Sequence, residues 1–176
     1  MWGDARRLGL RGQVRKVWAP RGVAVCQAVP SGWQYTYVTV AIDPMTGRLW
    51  WAWQKNMKGG ARARIWGTWA AEPGLDGWVW DRAGGHTGKA MQAVDVPRVV
   101  PPPYAPELNP VERFFRELRR ALEGRVYPDL QAKQDALEPV LKAWQADPKR
   151  VRQRCGWRWI REALTKLPAD NEVIQS

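Results

Sequence analysis

The sequence predicts a mixed α/β sheet flanked by helices and followed by a helical C-terminal tail. Three observations carry that expectation. A β-prone, turn-punctuated stretch fills the N-terminal third. Two short apolar runs, at 78–80 and 96–100, then alternate with helical spacing, as buried and partly parallel strands do. A strongly amphipathic helix follows, and helical patterning continues to the end of the chain.

The elements are read in order. Residues 3–18 mix apolar and basic side chains, with Arg6, Arg7, Arg11, Arg15 and Lys16 close together, and Asp4 in a first possible strand. The stretch 23–29 is β-prone and stops at Pro30-Ser31-Gly32. Alternation over 35–42 marks a strand, Asp43-Pro44-Met45-Thr46-Gly47 is turn chemistry, and 49–53 is the next strand, giving an antiparallel meander. Ile65, Trp66, Trp69 and Ala70 have helical spacing within 61–71, and Pro73-Gly74 ends that helix. Trp78-Val79-Trp80 suits a buried strand with Asp81 at its C-terminal end, 89–93 a short helix, and 96–100 a second buried strand. Pro101-Pro102-Pro103-Tyr104 matches a WW-domain ligand pattern, but between strand and helix it reads as a rigid connector. Val111, Phe114, Phe115, Leu118 and Leu122 then fall on one helical face, with Asn109 as N-cap, Pro110 at N1, Glu112 at N3 and Gly124 as the stop. Two more helices are expected at 130–147 and 149–167, the last strongly basic through Lys149, Arg150, Arg152, Arg154, Arg158 and Arg161.

Composition narrows the function classes. A length of 176 residues suits one domain. Lys and Arg number 28 against 17 Asp and Glu, so the net charge is 28 − 17 = +11, which points to a polyanionic partner. Thirteen tryptophans must be buried or used at a surface, and those within 50–53 read as core rather than as a base-stacking platform. No N-terminal apolar stretch has signal-peptide length, and the longest uncharged run, 22–42, contains Pro30, Ser31 and Gly32 and reads as strands and a turn, not a membrane span. Cys26 and Cys155 make no disulfide framework; a reduced cytosolic setting and packing roles are expected. His86 is the sole histidine, so any metal would be a hard cation held by carboxylates.

Three acidic residues stand out by position: Asp4 in the first possible strand, Asp81 at the end of a buried strand and Glu112 opening the helix after the next strand, in a fold class whose sites gather at the C-terminal ends of strands. Converging carboxylates repel unless cations lie between them. Two Mg²⁺ or Mn²⁺ ions about 3.5–4 Å apart would clamp the attacking and leaving oxygens of a phosphodiester. Each residue has a plainer reading: a solvated terminal Asp4, an Asp81 that starts a turn, a Glu112 that completes a capping box. His86 reads as a turn residue or a satisfied core histidine ahead of a functional one.

The motifs carry a resemblance. Pro102-Pro103-Tyr104-Ala105-Pro106-Glu107-Leu108-Asn109-Pro110-Val111-Glu112 closely resembles the P-P-Y-S-P-E-L-N-P-I/V-E signature of mariner-like DDE transposases, especially their bacterial insertion-sequence relatives. Trp78-Val79-Trp80-Asp81-Arg82-Ala83-Gly84-Gly85-His86 resembles their strand plus D-N-A-G-W-H segment. Asp4-Ala5-Arg6-Arg7-Leu8-Gly9-Leu10 resembles D-E-A-R-F-G-L, and Val17-Trp18-Ala19-Pro20-Arg21-Gly22 matches V-W-A-P-R-G. The likeness runs in order over about residues 3–125 and leaves the tail without a motif.

The resemblance implies an RNase H-like DDE catalytic domain over 1–125, with 126–176 as a helical basic extension of the same domain. It implies a sheet of three antiparallel strands followed by two parallel ones, and an acidic triad of Asp4, Asp81 and Glu112 holding two Mg²⁺ or Mn²⁺ ions. It implies cleavage and strand transfer of DNA, with transposon ends and target DNA as partners, a homodimer or larger assembly on DNA, no membrane, and a bacterial cytoplasmic, nucleoid-associated setting. The candidate DNA contacts are Arg6, Arg7, Arg82, His86, Lys89, Arg113 and Arg116. Thirty residues separate Asp81 from Glu112, near the family's interval. The chain departs from the pattern at Ala5, where the family has an acid, and at Gly85, where it has an aromatic residue. Only Met1, Trp2 and Gly3 precede Asp4, so the expectation is a chain without the family's N-terminal helix-turn-helix region. The expectation is a catalytic half with little specificity for transposon ends; the alternative is an inactive, basic nucleic-acid-binding remnant.

Overall fold

The computed structural model describes residues 1–11, 17–26, 30, 33–80, 94, 96–102 and 105–165. Strand β1 (Trp2–Gly9) lies at the centre of a five-stranded sheet of order β3-β2-β1-β4-β5. It pairs antiparallel with β2 (Tyr35–Ile42), which pairs antiparallel with β3 (Leu49–Gln54). On its other edge β1 pairs parallel with β4 (Trp78–Val79), and β4 with β5 (Arg98–Val99). Helix α1 (Gly59–Ala70) connects β3 to β4. After β5 a short 3₁₀ turn (Pro106–Leu108) leads into α2 (Pro110–Leu122), α3 (Leu130–Gln145), α4 (Pro148–Cys155) and α5 (Arg158–Thr165).

The meander is therefore built differently from the sequence expectation. The strand paired with β2 is 2–9, not the β-prone stretch at 23–29, whose described part (23–26) is in no strand. In β1, Trp2 and Leu8 alternate into the core, whereas Val23 and Val25 are 56% and 59% exposed. β-propensity without a surface to pack on makes no strand. Cys26 is likewise exposed, against the packing role expected of it; Cys155 is fully buried.

The two sides of the sheet are filled by different chemistry. Trp2 and Leu8 of β1, Val38, Val40 and Ile42 of β2 and Leu49 of β3 face the helical layer, where Val111, Phe114, Phe115, Leu118 and Leu122 of α2 meet Leu137, Leu141 and Trp144 of α3 and Val151 and Cys155 of α4. These are the α2 positions the periodicity predicted. The opposite side carries Ala41, Trp78 and Trp80 against Trp66 and Trp69 of α1. Trp66 stands edge-on to Trp69, Trp78 and Trp80, with ring centroids 5.2, 4.5 and 5.1 Å away. Gly3 lies beneath it, because a Cβ there would enter the Trp66 ring. The tryptophans of β3 divide between the sides, Trp51 and Trp53 toward the helical layer and Trp50 toward α1, all half-buried.

Caps fix the helix starts. Asn109 Oδ1 accepts from the Val111 N–H at 3.0 Å, Asp129 Oδ1 from Ala132 at 2.7 Å, and Asp147 Oδ1 from Arg150 at 2.9 Å. The single helix expected at 149–167 is instead two, broken at Gly156-Trp157. The Gly156 N–H closes α4 on the Arg152 carbonyl at 2.7 Å, and a Cβ at Gly156 would strike the Pro44 and Arg152 carbonyl oxygens. The β2–β3 turn thus presses against α4 by its main chain. Gly47 of the same turn, at φ +82°, meets the Pro148 carbonyl in the same way. No helix among the described residues is long and apolar enough to cross a membrane.

Candidate functional site

Alternation along β1 places Trp2, Asp4, Arg6 and Leu8 on the side that faces the helical layer. Asp4 sits opposite Val40 on the central strand and is half-buried. Its Oδ1 accepts the N–H of Ala5 at 2.6 Å, which limits how the carboxylate can turn. Glu112 occupies N3 of α2, one residue beyond the Asn109-capped Val111. Its position puts the side chain in the first turn, at the N-terminal end of the helix.

Arg6, two residues beyond Asp4 on the same side of β1, pairs with Glu112. Its Nη1 lies 3.7 Å from Glu112 Oε2, with the two side chains 22% and 39% exposed. Its guanidinium also stands 5.7 Å from the Phe115 ring centroid. Burial is the main cause of a lowered Arg6 pKa, and the charge of Arg119 adds to it; Glu112 and Asp4 both oppose the shift. One guanidinium therefore feels both carboxylates. The capping-box expectation for Glu112 was only half of its role: its position is that of a cap residue, but its side chain reaches across to the central strand.

Asp81, Arg82, His86 and Lys89, together with the short helix expected at 89–93, lie outside the described residues. Trp80, directly before Asp81, is buried, and β4 runs beside β1 with Val79 opposite Trp2. Among the described residues no group of three or more His, Cys, Asp or Glu is placed to hold a metal, and Asp81 is not one of them.

The other candidate contacts are spread out. Arg7 is exposed and lies over the Tyr35 ring at 4.0 Å. Arg116 is exposed on α2. Arg113 is stacked on the Trp157 ring, 2.9 Å from its centroid, and its pKa is lowered first by burial and then by Arg116 and Arg154. The Arg6–Glu112 pair and the Arg113–Trp157 stack are features that sequence reasoning missed. The first had a signal, since Asp4 and Arg6 are two apart on a strand and share a side.

No family model and no curated protein matches the chain. Solved structures do. A pre-cleavage Mos1 transpososome aligns with a TM-score of 0.65 at 13% identity, over 92% of this chain and 54% of that one. The Mos1 mariner paired-end complex with Mn gives 0.63 at 14% identity over the same shares. The catalytic domain of Mos1 mariner transposase gives 0.57 at 12% identity, over 92% of this chain and 80% of that one. The chain thus spans about half the length of the Mos1 chains in those complexes. The likeness shows the fold: the expected RNase H-like mixed sheet, three antiparallel strands then two parallel ones, flanked by helices.

Proposed function

We propose that this chain is the catalytic domain of a DDE-type transposase of the mariner-like, bacterial insertion-sequence kind. It cuts and joins DNA strands, with Asp4, Asp81 and Glu112 holding two divalent cations. The observation that supports this reading is that Glu112, in the first turn of α2, reaches Arg6 on the central strand, which carries Asp4 two residues away on the same side. Asp81 enters on sequence: Asp4 and Asp81 each lie two residues beyond the paired Trp2 and Val79.

The donor set suits the proposed ions. Carboxylate oxygens are the ligands of hard divalent cations, and Glu112 presents one such carboxylate, 3.7 Å from the Arg6 guanidinium. When bound, Mg²⁺ or Mn²⁺ supplies Lewis acidity to the attacking water or DNA 3′-OH and to the leaving oxyanion. The protein's part is orientation. The Ala5 N–H steadies Asp4 and the capped α2 start steadies Glu112, which pairs with Arg6 until an ion takes its place. Neighbouring Mos1 structures carry Mn or Mg and include a strand transfer complex, which supports the same reading of metal and partner. The substrates are then transposon ends and target DNA in the bacterial cytoplasm, engaged by a homodimer or larger assembly.

The test is nicking of supercoiled plasmid. The chain with Mn²⁺ should give open circles, EDTA should stop it, and Asp4→Asn, Asp81→Asn and Glu112→Gln should each reduce the rate by about a hundredfold or more, as losing a metal ligand does. Parental nicking by Asp81→Asn would sink the reading. The rival, a basic remnant that binds DNA without cutting it, draws on the same ion pair, because Arg6 already neutralises Glu112. It requires EDTA-insensitive binding and no cleavage with any metal.

A further inference from the structure

Away from the carboxylates, α4 and α5 meet at Gly156-Trp157 and enclose a groove of about 350 Å³ lined by Arg152, Gln153, Gly156, Trp157, Arg158 and Arg161. Three of these six residues are arginines, contributed by both helices. Arg158 is paired with Glu162 at 2.6 Å. Among the described residues neither Arg152 nor Arg161 has a carboxylate partner, and both are exposed. The groove therefore concentrates uncompensated positive charge in a concave site rather than spreading it over a convex face.

Its floor is fixed. Trp157 is half-buried and backed by the Arg113 guanidinium, whose residue directly follows Glu112 on α2. Arg154, on the other side of α4, is held by Glu117 of α2 at 2.6 Å. The groove is thus braced against the helix whose first turn carries the proposed metal ligand. All its cations are arginines, whose planar forks suit the paired oxygens of a phosphate.

We propose that this groove is a binding site for the phosphodiester backbone of DNA that works without the carboxylates and without a metal. The inference rests on the reading of the chain as a DNA-processing domain, and it assigns a task to the basic tail. Arg152 and Arg161 hold successive phosphates, Arg158 joins them by exchanging Glu162 for a phosphate, and Trp157 gives a rigid wall that keeps the strand beside α2.

The experiment is fluorescence anisotropy of a short fluorescein-labelled DNA duplex with the full chain in EDTA, over a range of salt concentrations. Arg152→Gln/Arg161→Gln should weaken binding about tenfold or more and lower the log–log salt slope by about 2, since each lost phosphate contact removes about 0.9. Arg64→Glu, on exposed α1 across the sheet, makes the same change in net charge and should leave the slope nearly unchanged. Circular dichroism melts confirm that both variants fold. Equal affinity and slope for parent and double variant overturns the proposal, as does an equal loss in Arg64→Glu. Displacement of the DNA by poly-glutamate as readily as by unlabelled DNA of equal charge overturns it too, because the groove would then be an acidic-peptide site. Metal-free binding by this groove in a chain that never nicks DNA leaves the groove standing and removes the nuclease reading.

Discussion

The two sides of the sheet solve the same problem with opposite materials. On the α1 side, Trp66 stands edge-on to Trp69, Trp78 and Trp80 over the paired small residues Gly3 of β1 and Ala41 of β2. On the other side many aliphatic and phenyl side chains from α2, α3 and α4 share the load. Rigid rings with few neighbours cannot rearrange around a change, whereas a broad aliphatic layer relaxes. The candidate site lies on the second side, where α2 can carry Glu112 on its rim while its buried face remains apolar.

The contrast is broken most directly at Trp66. Trp66→Ala should cost about 3–5 kcal/mol in urea unfolding. The conservative swap Leu118→Met on the helical side should cost less than about 1.5 kcal/mol. Comparable losses would mean that the sides do not differ in adaptability. Gly3→Ala comes next, at about 1–3 kcal/mol. Combined with Trp66→Leu it should destabilise less than the sum of the two single changes, by about 0.5 kcal/mol or more, because the clash and the ring are one interaction.

Cys155 sharpens the picture of the helical side. Burial pushes its thiol up to about 12, against partial relief from Arg154 and Arg113. An unfolded chain's thiol ionises from its ordinary 9.0. Between those values the unfolded state holds fewer protons than the native one, so this group's contribution, complete below pH 9, is lost as the pH climbs toward 12. Thiol labelling at neutral pH should accordingly modify Cys26 alone until denaturant is added. The smallest effect belongs to Arg6→Gln. A partly exposed pair is worth under about 1 kcal/mol, so stability should hardly move, while Mn²⁺ affinity, followed by titration calorimetry, should rise as a competing cation leaves Glu112. A fall in affinity would make Arg6 part of the metal site's support.

Much of this was legible in the sequence because it is local. The apolar period of α2, its Asn109 cap and Pro110 start, and the short buried β4 all follow from near neighbours, whereas β5, read as buried, lies at the sheet edge with Val99 49% exposed. What escaped depends on contacts far apart in the chain. The valines at 23 and 25 have the right type for a strand but no partner, and Trp2 to Gly9, crowded with arginines, has one on each edge. The break at Gly156 answers to Pro44, more than a hundred residues earlier. Asp4 and Glu112 could be singled out by motif, but the Arg6–Glu112 pair requires knowing that α2 starts beside the central strand.

The main-chain contacts of Gly47 with Pro148 and of Gly156 with Pro44 have a consequence for how this molecule can vary. Side chains elsewhere can be exchanged and repacked, but these two junctions leave no atom to trade. Lengthening the hairpin bend by a single residue would displace the whole C-terminal helical pair as a block, and with it the arginines it presents. The bend and that pair form one inherited unit, so a viable insertion in the first should be accompanied by a matching alteration in the second.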